Sequence, residues 1–186
     1  MRGFVFTEFI EMIEERHGLD VVDQMIAASG SSCGGSYVSV DTYPHEEFAR
    51  LIGSLAAILG ADPPELIRWF GEQLFGRLAV VYAGLLEDIE DPFTLLERLD
   101  GYVHFEVKKL EPDAQLPSFD FTSTGPGSAT MTYRSERALP DLAEGLLTGC
   151  FAHFGDRASI RRTDRSGGAG TQVDFHVERK TDPERG

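Results

Sequence analysis

Hydrophobic residues recur every three or four positions through most of the chain, a spacing typical of amphipathic helices. This pattern predicts helices over residues 5–18, 20–28 and 48–59, each with polar residues opposite its apolar face. A Gly- and Ser-rich stretch over 29–36 predicts a surface loop after the second helix. A short extended piece is expected around residues 37–40 before the third helix begins.

Two later helices carry clear start signals. Asp62 before Pro63 predicts an N-cap and a first helical residue, and a long helix follows. Asp91 before Pro92 predicts the same arrangement, and this helix is expected to continue as far as Leu110.

The hydrophobic period changes from helical spacing to alternation at about Pro117. A Gly-Pro-Gly-Ser turn over 125–128 predicts a hairpin there, and a helix from Pro140 follows. Two further strands are expected over 158–163 and 171–177, on either side of a Gly-rich turn.

The elements predict one α+β domain over residues 1–186. A helical amino-terminal subdomain, about residues 1–62, is expected to pack on a carboxy-terminal antiparallel sheet subdomain of βαββ-like order. The latter, about residues 63–180, contains the later helices and the sheet, and residues 181–186 form a polar tail.

The net negative charge of the chain argues against two classes of partner, nucleic acids and anionic lipids. The chain has 17 Lys and Arg against 31 Asp and Glu, a formal net charge of −14, which repels phosphate backbones and anionic lipid heads. Nucleic acid is therefore not an expected partner. No apolar run approaches the ~20 residues of a membrane span, and the amino terminus lacks the order of a signal peptide, so membrane insertion is not expected and the expected location is the cytoplasm.

One polar segment is suited to binding paired carboxylates. Alternation along a strand places Tyr133 and Ser135 on one side, with Arg137 beside them if the strand extends that far. An Arg fork and two hydroxyls match two adjacent carboxylates, although an ordinary solvent-facing strand has the same composition. Upstream, His104 stands among apolar neighbours, where a histidine is either a core residue bonded to a carbonyl or a metal ligand.

Taken together, these residues resemble the haem nitric oxide/oxygen-binding (H-NOX) family over nearly the whole chain, beginning at residues 1–3. The resemblance aligns His104 with the proximal haem ligand and Pro117 with the family's haem-bending proline. It aligns three residues with the Tyr-x-Ser-x-Arg clamp that binds the haem propionates: Tyr133, Ser135 and Arg137.

The cofactor implied by this resemblance is haem b, held between the two subdomains. No C-x-x-C-H sequence is present to attach haem covalently, so it would be held by ligation and burial. The resemblance assigns the distal wall to six apolar residues: Val5, Phe9, Leu74, Leu78, Leu142 and Leu146. Because Leu142 stands where oxygen-holding relatives have a tyrosine, nitric oxide and carbon monoxide are the expected ligands, with no stable dioxygen adduct.

The function implied is gas sensing rather than catalysis. Nitric oxide bound to a five-coordinate ferrous haem would weaken the bond between iron and His104, and release of that histidine would regulate a separate signalling protein. The resemblance offers a sensor histidine kinase or a cyclic-di-GMP enzyme as this partner. Some relatives bind zinc near the carboxy terminus, but residues 162–176 contain no Cys, so no zinc site is expected.

Several alternatives stay open at this stage. His153, on an apolar helix, is the other histidine that could ligate iron, although a core position is the simpler expectation for it. A thiol enzyme using Cys33 or Cys150 lacks a visible acid to orient a base. A module that binds an apolar carboxylate through Arg137, or a haem protein that binds oxygen, would share much of the same pattern.

Overall fold

The computed structural model describes residues 1–180, so the polar tail predicted over 181–186 lies outside the described residues. The chain divides into two compact units, Met1–Phe70 and Gly71–Gly186, with the boundary inside the fourth helix rather than near residue 62.

The first unit is helical, as predicted. It contains α1 (Gly3–His17), α2 (Leu19–Ser29), α3 (His45–Leu59) and the start of α4 (Pro63–Val81). Its core is aromatic, and the Phe9 ring lies 5.3 Å from that of Phe48 and 5.1 Å from that of Phe70, measured between centroids. Such edge-to-face contacts add to the burial of apolar area.

The extended piece predicted around residues 37–40 is not a strand. A turn closes there instead, with the Asp41 amide donating to the Val38 carbonyl at 3.0 Å. The one bridge nearby is isolated and joins Arg2 to Thr42. The two apolar residues of this segment, Val38 and Val40, are exposed, so burial gives them no reason to join a sheet.

The second unit contains the antiparallel sheet and the helices that pack on it. After α5 (Ala83–Leu86) come α6 (Pro92–Arg98), a π-turn (Leu99–Val103), α7 (His104–Leu110), β1 (Ser118–Gly125), β2 (Ser128–Arg134), α8 (Pro140–His153), β3 (Ala158–Asp164) and β4 (Gln172–Arg179). The strands lie in the order β1-β2-β4-β3, so a hairpin precedes α8 and another follows it.

Alternation along the strands directs one set of side chains into the core. Tyr133 and Phe175, on neighbouring strands, are both buried and pack with Leu147 and Phe151 of α8. The sheet is therefore covered by α8 on one face, as expected for a half-buried antiparallel sheet. β4 ends at Arg179, two residues beyond the strand end predicted at residue 177.

The helix predicted from Pro92 to Leu110 is interrupted. Its start is as predicted, because the Asp91 carboxylate accepts from the Phe93 amide at 2.8 Å and so caps α6. The π-turn then separates α6 from α7, and the His104 amide donates to the Leu99 carbonyl, five residues back. Leu110, the predicted last residue of this helix, is 68% exposed.

Among residues 1–180, no helix combines the length and the hydropathy that a membrane crossing requires.

Candidate functional site

His104 is the first residue of α7 and its side chain is 14% exposed. Its Nδ1 lies 2.9 Å from Oδ1 of Asp100, one helical turn earlier. Because a carboxylate accepts, Nδ1 carries the proton and Nε2 keeps a lone pair. Burial lowers the pKa of His104 and is opposed in part by Asp100, so the ring is neutral near pH 7. A neutral imidazole with one nitrogen oriented by a carboxylate is the arrangement typical of metal-binding histidines.

The three clamp residues lie where β2 ends and the chain turns towards α8. Tyr133 is buried, and its Oη accepts from the Leu139 amide at 3.0 Å, which leaves the phenolic hydrogen available for donation. Arg137 is half-buried and donates from Nη2 to Oε1 of Gln115 at 3.0 Å. Burial lowers the pKa of Arg137, but a guanidinium remains charged.

Strand alternation does not bring these residues together, because β2 ends at Arg134. Ser135 instead closes a turn, in which its Oγ accepts from the Arg137 amide at 3.2 Å and its carbonyl accepts from Ala138 at 3.3 Å. The strand therefore does not extend as far as Arg137, which was the condition for strand alternation to place Arg137 beside the other two residues. The turn still places Arg137 beside Ser135, through a side-chain hydrogen bond typical of serine.

Phe119 links the histidine to the clamp. It pairs with Tyr133 across β1 and β2, and the two ring centroids are 5.6 Å apart. The same Phe119 ring lies 5.9 Å from the His104 ring. The Pro117 carbonyl also interacts with His104 and favours its protonated form. The structure thus brings His104 and Tyr133 to the same aromatic side chain, and the Pro117 carbonyl to His104.

The distal residues predicted in the second unit lie on α4 and α8. Leu74 is buried, whereas Leu78, Leu142 and Leu146 are half-buried. The two helices meet closely, because a Cβ added to Gly71 would come 2.6 Å from the Leu142 carbonyl oxygen. The partial exposure of Leu78, Leu142 and Leu146 is compatible with a ligand-binding wall and equally with ordinary packing between helices.

The two distal residues predicted in the first unit lie on α1. Val5 is half-buried, and Phe9 is fully buried within the aromatic core of that unit. The assignment of all six residues to one distal wall stays a prediction.

The competing histidine is differently placed. His153, expected in the core, is exposed, and its ring centroid lies 5.0 Å from that of Phe154 and 5.7 Å from that of Phe75. Within the described part of the chain, no group of three or more His, Cys, Asp and Glu side chains is arranged to hold a metal ion.

The chemistry of this region fits haem. A porphyrin iron needs one axial nitrogen donor, its macrocycle needs apolar walls, and its propionates need donors at the edge. His104 offers the axial nitrogen and Phe119 an apolar surface beside it. Tyr133, Ser135 and Arg137 offer the donors, and none of their side chains donates to a carboxylate among residues 1–180.

The comparisons with known proteins agree with this geometry. Residues 2–162 match the family model described as Haem-NO-binding. The chain belongs to the haem-NO-binding family. Members of this H-NOX family are haem-based gas sensors. No curated protein matches the chain.

Solved H-NOX structures match over almost the full length. The Fe(II) unliganded H-NOX protein from K. algicida is 33% identical, covers 98% of each chain and has a TM-score of 0.90. The IWP-051-bound H-NOX from Shewanella woodyi in the Fe(II)CO state is 34% identical, covers 97% of this chain and 95% of that one, and has a TM-score of 0.82. An H-NOX protein from S. oneidensis in the Fe(II)NO state is 23% identical over 97% of this chain and all of its own, with a TM-score of 0.88, and so shows the fold alone.

Three residues at this site were not predicted from the sequence. Asp100 and Gln115 bond to His104 and Arg137, and Phe119 lies between His104 and Tyr133. The four-residue spacing of Asp100 and His104 is the one available signal, because such residues are neighbours on a helix. Gln115 precedes β1 in an irregular segment, where no periodicity relates it to Arg137.

Proposed function

We propose that this chain is a cytoplasmic, non-catalytic sensor that holds haem b on His104, binds nitric oxide and regulates a separate signalling protein. The observation that carries the proposal is an oriented, neutral imidazole next to a set of donors that lack a carboxylate. This arrangement supports a role of the donors in binding the propionates and a role of the imidazole in binding the iron.

His104 would hold the haem through its iron, and the haem would supply a ferrous centre able to take nitric oxide, which would weaken the bond to His104. The proposed roles of the chain's own residues are then distinct. His104 holds the cofactor and is the group that is released. Tyr133, Ser135 and Arg137 keep the cofactor in place by donating to its carboxylates, and the Pro117 ring is the residue against which the macrocycle would bend.

Selectivity for nitric oxide over dioxygen is proposed to come from a missing hydrogen bond. Dioxygen on ferrous haem gathers negative charge at its outer atom and is retained where a donor reaches it. Leu142 and Leu146 have aliphatic side chains and donate nothing. Carbon monoxide and nitric oxide need no donor, so both are expected to bind.

Regulation of a partner is supported by the surface around His104. Tyr102, Phe105 and Leu110 are 41%, 55% and 68% exposed, so the segment that holds the ligand also presents three large apolar side chains to solvent. Large apolar side chains that stay exposed are the kind of group that a protein contact can bury. A shift of α7 after release of His104 would change that surface, and only a partner that prefers one arrangement would respond. A sensor histidine kinase and a cyclic-di-GMP enzyme are the two classes proposed for it.

Absorption spectra of the purified chain, expressed with haem supply and reduced without oxygen, test this proposal. We expect a Soret band from non-covalent haem b, a spectral change on adding carbon monoxide or nitric oxide, and no persistent oxygenated spectrum in air. Absence of the Soret band would favour a module that binds another apolar carboxylate. A stable oxygenated form would favour oxygen binding.

A further inference from the structure

The hydrogen bond between Asp100 and His104 contributes little to folding. The Asp100 side chain is 42% exposed, and a side-chain pair one helical turn apart stabilises a helix little when one partner is open to solvent. The pair therefore needs another explanation. Its main consequence falls on the imidazole ring, because the carboxylate determines which nitrogen carries the proton and limits rotation of the ring.

The π-turn supports this arrangement. Asp100 and Gly101 lie within the turn, and the backbone of His104 bonds to Leu99 rather than to Asp100. π-turns are rare and frequently mark functional sites, and Gly lowers helix propensity where the turn departs from α geometry. The one side-chain hydrogen bond of Asp100 in the described residues is the one to His104.

We infer that Asp100 is a positioning residue that strengthens the bond from His104 to haem iron. This inference rests on the proposed function, because it assumes that His104 is the axial ligand. A carboxylate that accepts from Nδ1 increases the electron density at Nε2 and holds the ring in one orientation, as outer partners of metal-binding histidines do. Asp100 would thereby influence how readily His104 is released when a gas binds to the haem.

Two substitutions and a matched control test the inference on the ferrous haem protein. Asp100→Ala removes the hydrogen-bond acceptor, whereas Asp100→Asn keeps a neutral acceptor at the same place. The asparagine variant keeps the test usable if Asp100→Ala fails to fold. Glu106→Gln is the control, because Glu106 lies on the same helix as His104, α7. Its carboxylate pairs with Lys109 at 2.7 Å, not with His104.

The readouts are the iron–histidine stretching band in resonance Raman spectra and the rate of haem transfer to an apoglobin. We expect the band to move to lower frequency in Asp100→Ala, less so in Asp100→Asn, and not in Glu106→Gln. Haem transfer from Asp100→Ala should be about 10-fold faster than from the unmodified chain. A purely structural role for Asp100 would leave the band unchanged.

An unchanged band in both Asp100 variants would overturn the inference while leaving the proposed function intact. Failure of the unmodified chain to take up haem, or an iron–histidine band that persists in His104→Ala, would overturn the proposed function and the inference with it.

Discussion

Each of the two units contains a cluster of polar side chains set among apolar ones, and the two clusters are built in opposite ways. In the first unit the acceptor is enclosed: Glu47 is 2% exposed and its carboxylate accepts from Ser32 Oγ at 2.7 Å and from Tyr37 Oη at 3.2 Å. Arg50 lies 2.5 Å from the same carboxylate. In the second unit the donors of Tyr133, Ser135 and Arg137 surround no carboxylate in the described chain.

This contrast separates a structural cluster from a ligand site. A buried carboxylate must have its lone pairs bonded, and the Glu47 cluster does this with groups of the chain itself. Donors that lack an anionic acceptor can satisfy one from outside. The comparison therefore predicts that substitutions at the clamp weaken haem binding, whereas substitutions at Glu47 lower the free energy of unfolding.

The largest effect is expected at the clamp. The triple variant Tyr133→Phe, Ser135→Ala, Arg137→Gln removes the donors proposed for the propionates, and haem transfer to an apoglobin should be on the order of 100-fold faster. Stopped-flow absorption measures the rate. Glu47→Gln, the control, should transfer haem at the unmodified rate, and equal effects of the two variants would break the comparison.

The second effect concerns stability. Glu47→Ala leaves the donors of Ser32 and Arg50 without their acceptor, and we expect the free energy of unfolding to fall by about 3 kcal/mol. Urea denaturation followed by far-UV circular dichroism measures it. The position of the Soret band should not change. A loss of less than about 1 kcal/mol would show that the Glu47 cluster is not structural.

The same cluster predicts a pH dependence. The Ser32 hydroxyl, more than any other group, holds the pKa of Glu47 at about 2, below its ordinary 4.5. The stabilisation is therefore complete above pH 4.5 and is lost as pH falls from 4.5 towards 2. Urea midpoints measured across this range should fall less steeply in Glu47→Gln. Parallel slopes in the two proteins would contradict the assignment.

The smallest effect tests the contact between α4 and α8, the helices that carry Leu74 and Leu142. A Cβ at Gly149 would lie 2.4 Å from the Glu72 carbonyl oxygen, so Gly149→Ala should destabilise by about 1 kcal/mol or more. Gly76 has open space around it, and Gly76→Ala should stabilise by roughly 0.5–1 kcal/mol. Thermal unfolding of both variants checks the opposite signs, and a shared sign would refute the close packing.

The sequence predicts the helices and strands well where one physical signal dominates. Asp91 and Pro92 predict the start of α6, and alternation predicts the strands. It does not predict the π-turn, because a helical period continues through residues 99–103 and Gly101 alone does not distinguish a π-turn from a weak α-helix. The turn at Ser135 was not predicted, because no Gly or Pro marks the chain between the end of β2 and Pro140.

The candidate site divides in the same way. His104, Pro117 and the three clamp residues were predicted through resemblance to a family, and the structure places the ring centroids of His104 and Tyr133 5.9 Å and 5.6 Å from that of Phe119. Asp100 and Gln115 could not be assigned roles, since their partners depend on turns that periodicity does not describe. Sequence periodicity does not predict which single side chains make tertiary contacts.

The central claim is that the imidazole of His104 holds the iron, and one variant tests it directly. His104→Gly is expressed with haem supply and with imidazole at about 10 mM, a concentration suited to a weak ligand. Its ferrous spectrum should be like that of the unmodified chain. After removal of the imidazole the haem should be lost. Retention of haem with an unchanged ferrous spectrum in imidazole-free His104→Gly would contradict the claim.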